Sequence, residues 1–348
     1  MTTTGPVTTE APPMERDDSR NGRSAGDPME WNHSESSGDQ IDPPKAVRGQ
    51  PLPKHRPSDS PSGPAEGKGV RQFLRSLLSG IPWREKASRD FEKNFDTPLA
   101  GRIEITNANG RTRVIGESRR DVLIRGQKQA RAESASAVQR LIETIDVIAA
   151  ETASGVLVFE SEIPRSWNRH GSIDLEVRVP RDTDVDITCS NGKVCIEGLR
   201  HGVRVRSSNG SIRLEDIMGP IELITANAKI CCAQTVGQLV ARSSNGKIDV
   251  EGHRGALDAE TSNGLIRAQV FELSGGGLKL ATSNGRIILE LPEKPNADLD
   301  IRVDNGVIRN ELSLRESVPK KNGRLKGQLG HGGCPIKLRT SNGAISLR

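Results

Sequence analysis

The sequence predicts an all-β chain: a parallel β-solenoid, or β-helix-like rod, with an 18–21-residue Ser-Asn-Gly repeat, one short helix near 133–145 and a disordered N-terminal tail. Three observations predict it. Ser-Asn-Gly recurs at a fixed period. Aliphatic residues recur in fixed columns around it. Aromatic residues make up only 2% of the 348 residues, with no Tyr. A period of this length marks a stacked repeat, in which each coil buries its apolar face on its neighbours.

Aligned on the Asn, the repeat is regular. Asn191, Asn209, Asn227, Asn245 and Asn263 follow each other at intervals of 18 (209−191, 227−209, 245−227, 263−245). Asn284 and Asn305 follow at 21, and Asn342 comes 37 later, with Asn322-Gly323 as a degenerate copy between. Asn109 is an isolated early copy. The structural turn glycines are Gly192, Gly210, Gly246, Gly264, Gly285, Gly306 and Gly343, since Asn and Gly accept positive φ. Ala226-Asn227-Ala228 departs from the motif and predicts a distorted turn.

The columns follow from the same alignment. Three residues after the Asn stand Val194, Ile212, Ile230, Ile248, Ile266, Ile287, Ile308 and Ile345. Six before it stand aliphatics from Val185 to Ile336, and four before it aliphatics from Ile187 to Leu338. Period-2 strands turn these columns inward and the intervening charged residues outward. Two strands per coil would enclose a core too thin for rings. The second turn would use Gly198, Gly202, Gly219, Gly237, Gly255 or Gly275. Stacked coils would bond Asn to Asn along a ladder. Beside it, Cys189, Ser207, Thr225, Ser243, Thr261, Thr282 and Thr340 form a small polar column. An antiparallel meander of 18-residue hairpins is the rival, because Asn-Gly is also a hairpin signal.

Outside the repeat, residues 1–66 are rich in Pro, Ser, Gly, Glu and Asp and predict disorder. Residues 67–95 predict an amphipathic helix and linker: Val70, Phe73, Leu74, Leu77, Leu78 and Ile81 share a stripe flanked by Arg71 and Arg75, and Trp83 follows. Two readings fit this segment. It caps the end of its own solenoid, or it lies on a membrane surface or a partner. Residues 96–348 form the β-strand-repeat solenoid domain. Within it, "ESASAVQRLIETI" at 133–145 places Val138, Leu141, Ile142 and Ile145 on one helical face. The loop "RSWNRHGS" offers Arg165, Trp167 and Arg169 as an interaction point, or Trp167 as a cover for the solenoid edge.

Several function classes are excluded or disfavoured. The net charge of +5 comes from 50 basic and 45 acidic residues without a dense basic, aromatic patch, which argues against nucleic acid. Five cysteines, none in a C-x-x-C pair, give neither a disulfide framework nor a zinc site. No catalytic residue, cofactor site or metal site is predicted: the six His are scattered, and phosphate-loop and nucleophile-elbow spacings are absent. One carboxylate group merits a test. Asp249, Glu251, Asp258 and Glu260 fall on outward positions, where a facing pair would suit glycoside hydrolysis and a solvated face paired with Arg242 and Arg267 would not. With no signal peptide and no apolar run of about 18 residues, the expected location is cytoplasmic, with membrane-peripheral contact through 67–83.

"SIDLEVRVPRDTDVDITCSNGKVCIEGLRHGVRVRSSNGSIRLEDIMGPIELITANAKI", with "FEKNFDTPLAGRIEITNANGRTRVIG" before it and "LRTSNGAISLR" at the end, resembles the bacterial "putative adhesin" β-strand-repeat family, a domain of unknown function. The likeness covers about 91–348. It implies an all-β repeat domain tied to the cell envelope, with no established reaction. The expectation is a non-enzymatic structural or interaction module whose partner is a protein or envelope component, or its own copies. The alternatives are a cytoplasmic regulator or sensor of envelope stress, and a polysaccharide-acting β-helix enzyme.

Overall fold

A computed structural model describes residues 85–164, 170–321 and 323–348. The apolar columns do stack. Ile212, Ile230, Ile248, Ile266 and Ile287 are each fully buried, one above another. At about 1.5–3 kcal/mol per buried aliphatic side chain, such columns dominate the stability of the rod. The pairings are parallel and in register through the repeat, which settles the question against the meander: Ile230 opposes Ile248, Leu239 opposes Leu257, and Asn245 opposes Asn263.

Each coil contributes one strand before its Asn and one after it. The first sheet contains β2 (Arg102–Asn109), β6 (Leu157–Glu162), β8 (Asp184–Asn191), β10 (Val203–Ser207) and β12 (Ile221–Thr225). The second contains β3 (Thr112–Glu117), β7 (Gly171–Pro180), β9 (Val194–Glu197), β11 (Ile212–Met218) and β16 (Ile287–Glu290). Long strands β13 (Ile230–Asn245), β14 (Ile248–Asn263), β15 (Ile266–Asn284), β17 (Ala297–Asn310) and β20 (Cys334–Leu347) bend and serve both sheets.

The stacking order differs from the chain order at both ends. The coil of β2 and β3 lies between that of β6 and β7 and that of β8 and β9. The last coil, β20, lies between β15–β16 and β17. The interval of 37 between Asn305 and Asn342 is therefore an excursion. The chain leaves β17, forms an antiparallel pair of β18 (Arg315–Lys321) and β19 (Arg324–Leu329) beyond it, and returns underneath. The C-terminal residues are internal to the stack, and Leu347 is fully buried.

Antiparallel strands and the helix close the N-terminal end. β1 (Glu85–Asp96) pairs with β4 (Asp121–Ala132), β4 pairs with β7, and β5 (Asp146–Glu151) pairs with β6. Helix α1 (Ala135–Thr144) forms where the 133–145 periodicity places it. Ser134 caps it by accepting the Ala137 N–H at 3.2 Å, and Val138, Leu141 and Ile142 are buried. Part of the 67–95 expectation needs correcting, because 85–95 is strand. Ala87, Phe91 and Phe95 are its half-buried positions. That spacing of four is a helical signal, and it arises here because Arg89 and Lys93, on the same strand face, stay exposed. The core is also wider than predicted at this end. Phe159 is fully buried, with the Phe95 ring 5.5 Å away.

Candidate functional site

The Asn column forms a continuous ladder. Each Nδ2 donates to the Oδ1 of the neighbouring coil at 2.8–3.1 Å, in the spatial order 109, 191, 209, 227, 245, 263, 284, 342, 305. The isolated Asn109 is thus the ladder's first rung. Asn227 keeps both its bonds despite its alanine neighbours. Two residues before it, Thr225 Oγ1 is buried without a hydrogen-bond partner among the described residues. The corresponding hydroxyls of Thr261 and Thr340 donate to the carbonyls of Gly246 and Gly285 on adjacent coils, at 3.1 and 3.2 Å.

Three of the seven turn glycines have the predicted positive φ, and the other four are needed for a different reason. Gly192, Gly306 and Gly343 have positive φ, but Gly210, Gly246, Gly264 and Gly285 do not. A Cβ on Gly210 would run into the carbonyl oxygen of Gly192, and one on Gly264 into that of Gly246. Close approach of the coils, more than backbone conformation, excludes a side chain there. Positive φ governs the second corner instead. Seven residues after the ladder Asn stand Gly198, Asp216, Gln234 and Gly252, with φ of 74, 53, 52 and 66°. Three further on, Gly219, Gly237 and Gly255 also have positive φ, whereas Gly202 and Gly275 do not and Gly277 does.

Between those two corner positions one residue per coil points inward: Leu199, Ile217, Thr235 and His253, all fully buried. His253 Nε2 lies 3.1 Å from the Ala256 carbonyl, which only accepts, so Nε2 carries the proton. Nδ1 of the neutral ring then accepts the Thr235 hydroxyl at 2.9 Å. Burial pushes the His253 pKa below the ordinary histidine value. The column is readable at the 18-residue period, and its polar pair is the feature that sequence reasoning missed.

The outward columns of the first sheet are charge ladders. Arg204 pairs with Glu222 at 2.7 Å and Asp186 at 3.4 Å, and Arg102 reaches Asp186 at 3.3 Å. Together with Val240, these residues line a shallow groove of about 460 Å³. The four carboxylates of the hydrolase test do not converge. Asp249 and Glu251 belong to the second-sheet half of β14 and Asp258 and Glu260 to its first-sheet half, so the core separates the pairs. Arg242 grips Asp258 at 2.8 and 2.6 Å and lies 3.7 Å from Glu260. Burial is the largest influence on the Asp258 pKa and raises it, but the hydrogen bond and charge of Arg242 together with Lys279 outweigh it and hold the carboxyl below the usual range. Asp249 sits 2.7 Å from Lys247 and 3.5 Å from Lys229, which lower its pKa against the same burial effect. Arg267 pairs with Glu290 at 3.1 Å, not with the predicted carboxylates.

No group of three or more potential metal ligands is present among the described residues. The expected interaction residues Phe73, Leu74, Leu77, Leu78, Trp83, Arg165, Trp167 and Arg169 lie outside the described residues, as does Asn322. Among the described residues no helix is long and apolar enough to cross a membrane.

The family model for Toastrack DUF4097 matches residues 101–348. The chain belongs to this family. The Toastrack match begins one residue before β2 and runs through β20, so it covers the whole laddered stack. Solved structures also align with this chain, at low identity and low TM-score. A "putative adhesin" from Parabacteroides merdae is 9% identical with a TM-score of 0.43, over 76% of this chain and 97% of that one. A "putative adhesin" from Bacteroides fragilis is 11% identical with a TM-score of 0.32, over 77% and 100%. A "putative lipid binding protein" from Parabacteroides distasonis is 11% identical with a TM-score of 0.29, over 76% and 98%. No curated protein matches the Toastrack chain.

Proposed function

We propose that this Toastrack chain is a non-enzymatic interaction module of the bacterial envelope that presents its laddered surface to an extended partner. The observation that carries the reading is the state of the outward charges. The carboxylates considered for catalysis divide into two pairs on opposite sides of the core, and in each pair one carboxyl, Asp249 or Asp258, is held by basic neighbours. General acid–base chemistry on glycosides needs two carboxyls facing one bond. A surface of this kind instead suits recognition spread over many weak, repeated contacts. Sequence spacing supports an additional membrane tether at 67–83, through Leu77 and Leu78.

The test is co-sedimentation of the full chain with isolated bacterial sacculi, with and without their attached anionic polymers, and with vesicles of phosphatidylglycerol and phosphatidylcholine. Binding to an envelope fraction is expected, and Leu77→Asp with Leu78→Asp should remove the vesicle component. Absence of binding to every fraction, or turnover of a polysaccharide panel by the purified chain, overturns the reading.

A further inference from the structure

The Asn ladder has a chemically distinct column on each side. One residue before the Asn, six coils carry an exposed serine, such as Ser244, Ser262 and Ser283. Two residues after it stand Arg111, Lys193, Lys229, Lys247 and Arg286, with Ser211 and Leu265 completing the column through Asn284. Arg111, Lys193 and Arg286 are exposed and make no ion pair among the described residues. Lys229 and Lys247 share the single carboxylate of Asp249.

The ladder leaves this ridge with binding capacity. An amide has two N–H donors and two acceptor lone pairs, and each internal rung spends one of each on its neighbours. The remaining donor and acceptor of each internal rung are not used by another rung, and an exposed serine stands beside Asn191, Asn209, Asn245, Asn263, Asn284 and Asn342. From the coil of Arg111 to that of Arg286 is six steps, or roughly 29 Å at the ~4.8 Å spacing of paired strands. The track then ends. In the last two coils the cation position holds Ala344 and Val307, and the serine position of the outermost coil holds Asp304.

We propose that this ridge binds a linear acidic glycan laid along the coil axis. Its hydroxyls would meet the Ser and Asn columns, and its carboxylates would meet Arg111, Lys193, Lys229, Lys247 and Arg286. The inference rests on the interaction reading above and names its partner class. Single-stranded nucleic acid is disfavoured because the track carries no aromatic platform for base stacking. A bilayer is disfavoured because Leu265 is the sole large apolar residue in the cation column through Arg286.

The experiment measures binding of the full chain to polygalacturonate, to its methyl ester and to dextran by calorimetry at two salt concentrations. Polygalacturonate should bind in a salt-sensitive way, and the two uncharged polymers should not. The triple variant Arg111→Ser, Lys193→Ser and Arg286→Ser should weaken binding at least about tenfold, since it removes three of five cations from one track. A control triple on other exposed cations, Arg206→Ser, Arg302→Ser and Arg309→Ser, should weaken it far less. Circular dichroism checks that both variants fold. Equal binding of the ester, equal loss in both triples, or no binding of polygalacturonate overturns the proposal. Stronger binding of single-stranded DNA or anionic vesicles, lost in the first triple, assigns the ridge to another partner class and also overturns it. If the first triple still sediments with sacculi, the interaction reading stands and the ridge assignment falls.

Discussion

Deleting residues 345–348 tests the inserted position of the C-terminal coil. Ile345 and Leu347 are both fully buried. Ile345 opposes Ile287 on one side and Ile308 on the other, and Leu347 opposes Leu289 and Asn310. At about 1.5–3 kcal/mol for each fully buried aliphatic side chain, the two side chains together are worth about 3–6 kcal/mol. The deletion also removes the bonds from Glu311 N–H to the Leu347 carbonyl and from Leu291 N–H to the Arg348 carbonyl, at 3.1 and 2.9 Å. Its effect reaches past the terminus, because the second-sheet half of β17 loses the strand it rests on. The control is Arg348→Ala, which trims an exposed side chain. Thermal unfolding should show the deletion melting lower by on the order of 10 °C and the control nearly unchanged. Hydrogen exchange should show the amides of Ile308–Asn310 losing protection. If the deletion melts like Arg348→Ala and those amides stay protected, the coil is terminal rather than inserted, and the reasoning fails.

Two further outcomes test the corners. Gly264→Ala should destabilise the protein by about 1–3 kcal/mol in urea unfolding, through overpacking against the Gly246 carbonyl. Gly275→Ala, whose Cβ meets nothing within 4 Å, should be near neutral; equal effects of the two would refute the close-approach argument. Acid should weaken the fold through His253. Its folded pKa lies below the ordinary value of 6.5, so the unfolded chain takes up a proton that the folded chain refuses. This contribution is intact above about pH 6.5 and is lost as pH falls below it. Replacing the pair with Thr235→Val and His253→Val, in a column that already holds Leu199, Ile217 and Val270, should flatten the fall in melting temperature between pH 7.5 and 5.5. An unchanged slope would remove His253 as its source.

The sequence by itself determined the repeat. Its 18-residue period, the inward aliphatic columns and the Asn ladder are local facts, because each coil sees the same neighbours above and below. A column read down the sequence is therefore a column in space. Helix α1 was legible for the same reason: Val138, Leu141 and Ile142 recur at helical spacing. The tertiary structure alone decided what breaks that translation. The repeat cannot say that Asn342 rests on Asn284 while Asn305 rests on Asn342, because all three carry the same Asn-Gly turn and the same ladder amide. Nor does strand β1 announce itself, since its half-buried positions depend on β4 lying beside it. The carboxylates of β14 look alike in sequence, and only the bend of that strand sends Asp249 and Asp258 to opposite sides of the core. Period conveys which residues stack; the fold of the ends and corners sets the order in which they do so and the direction each charge faces.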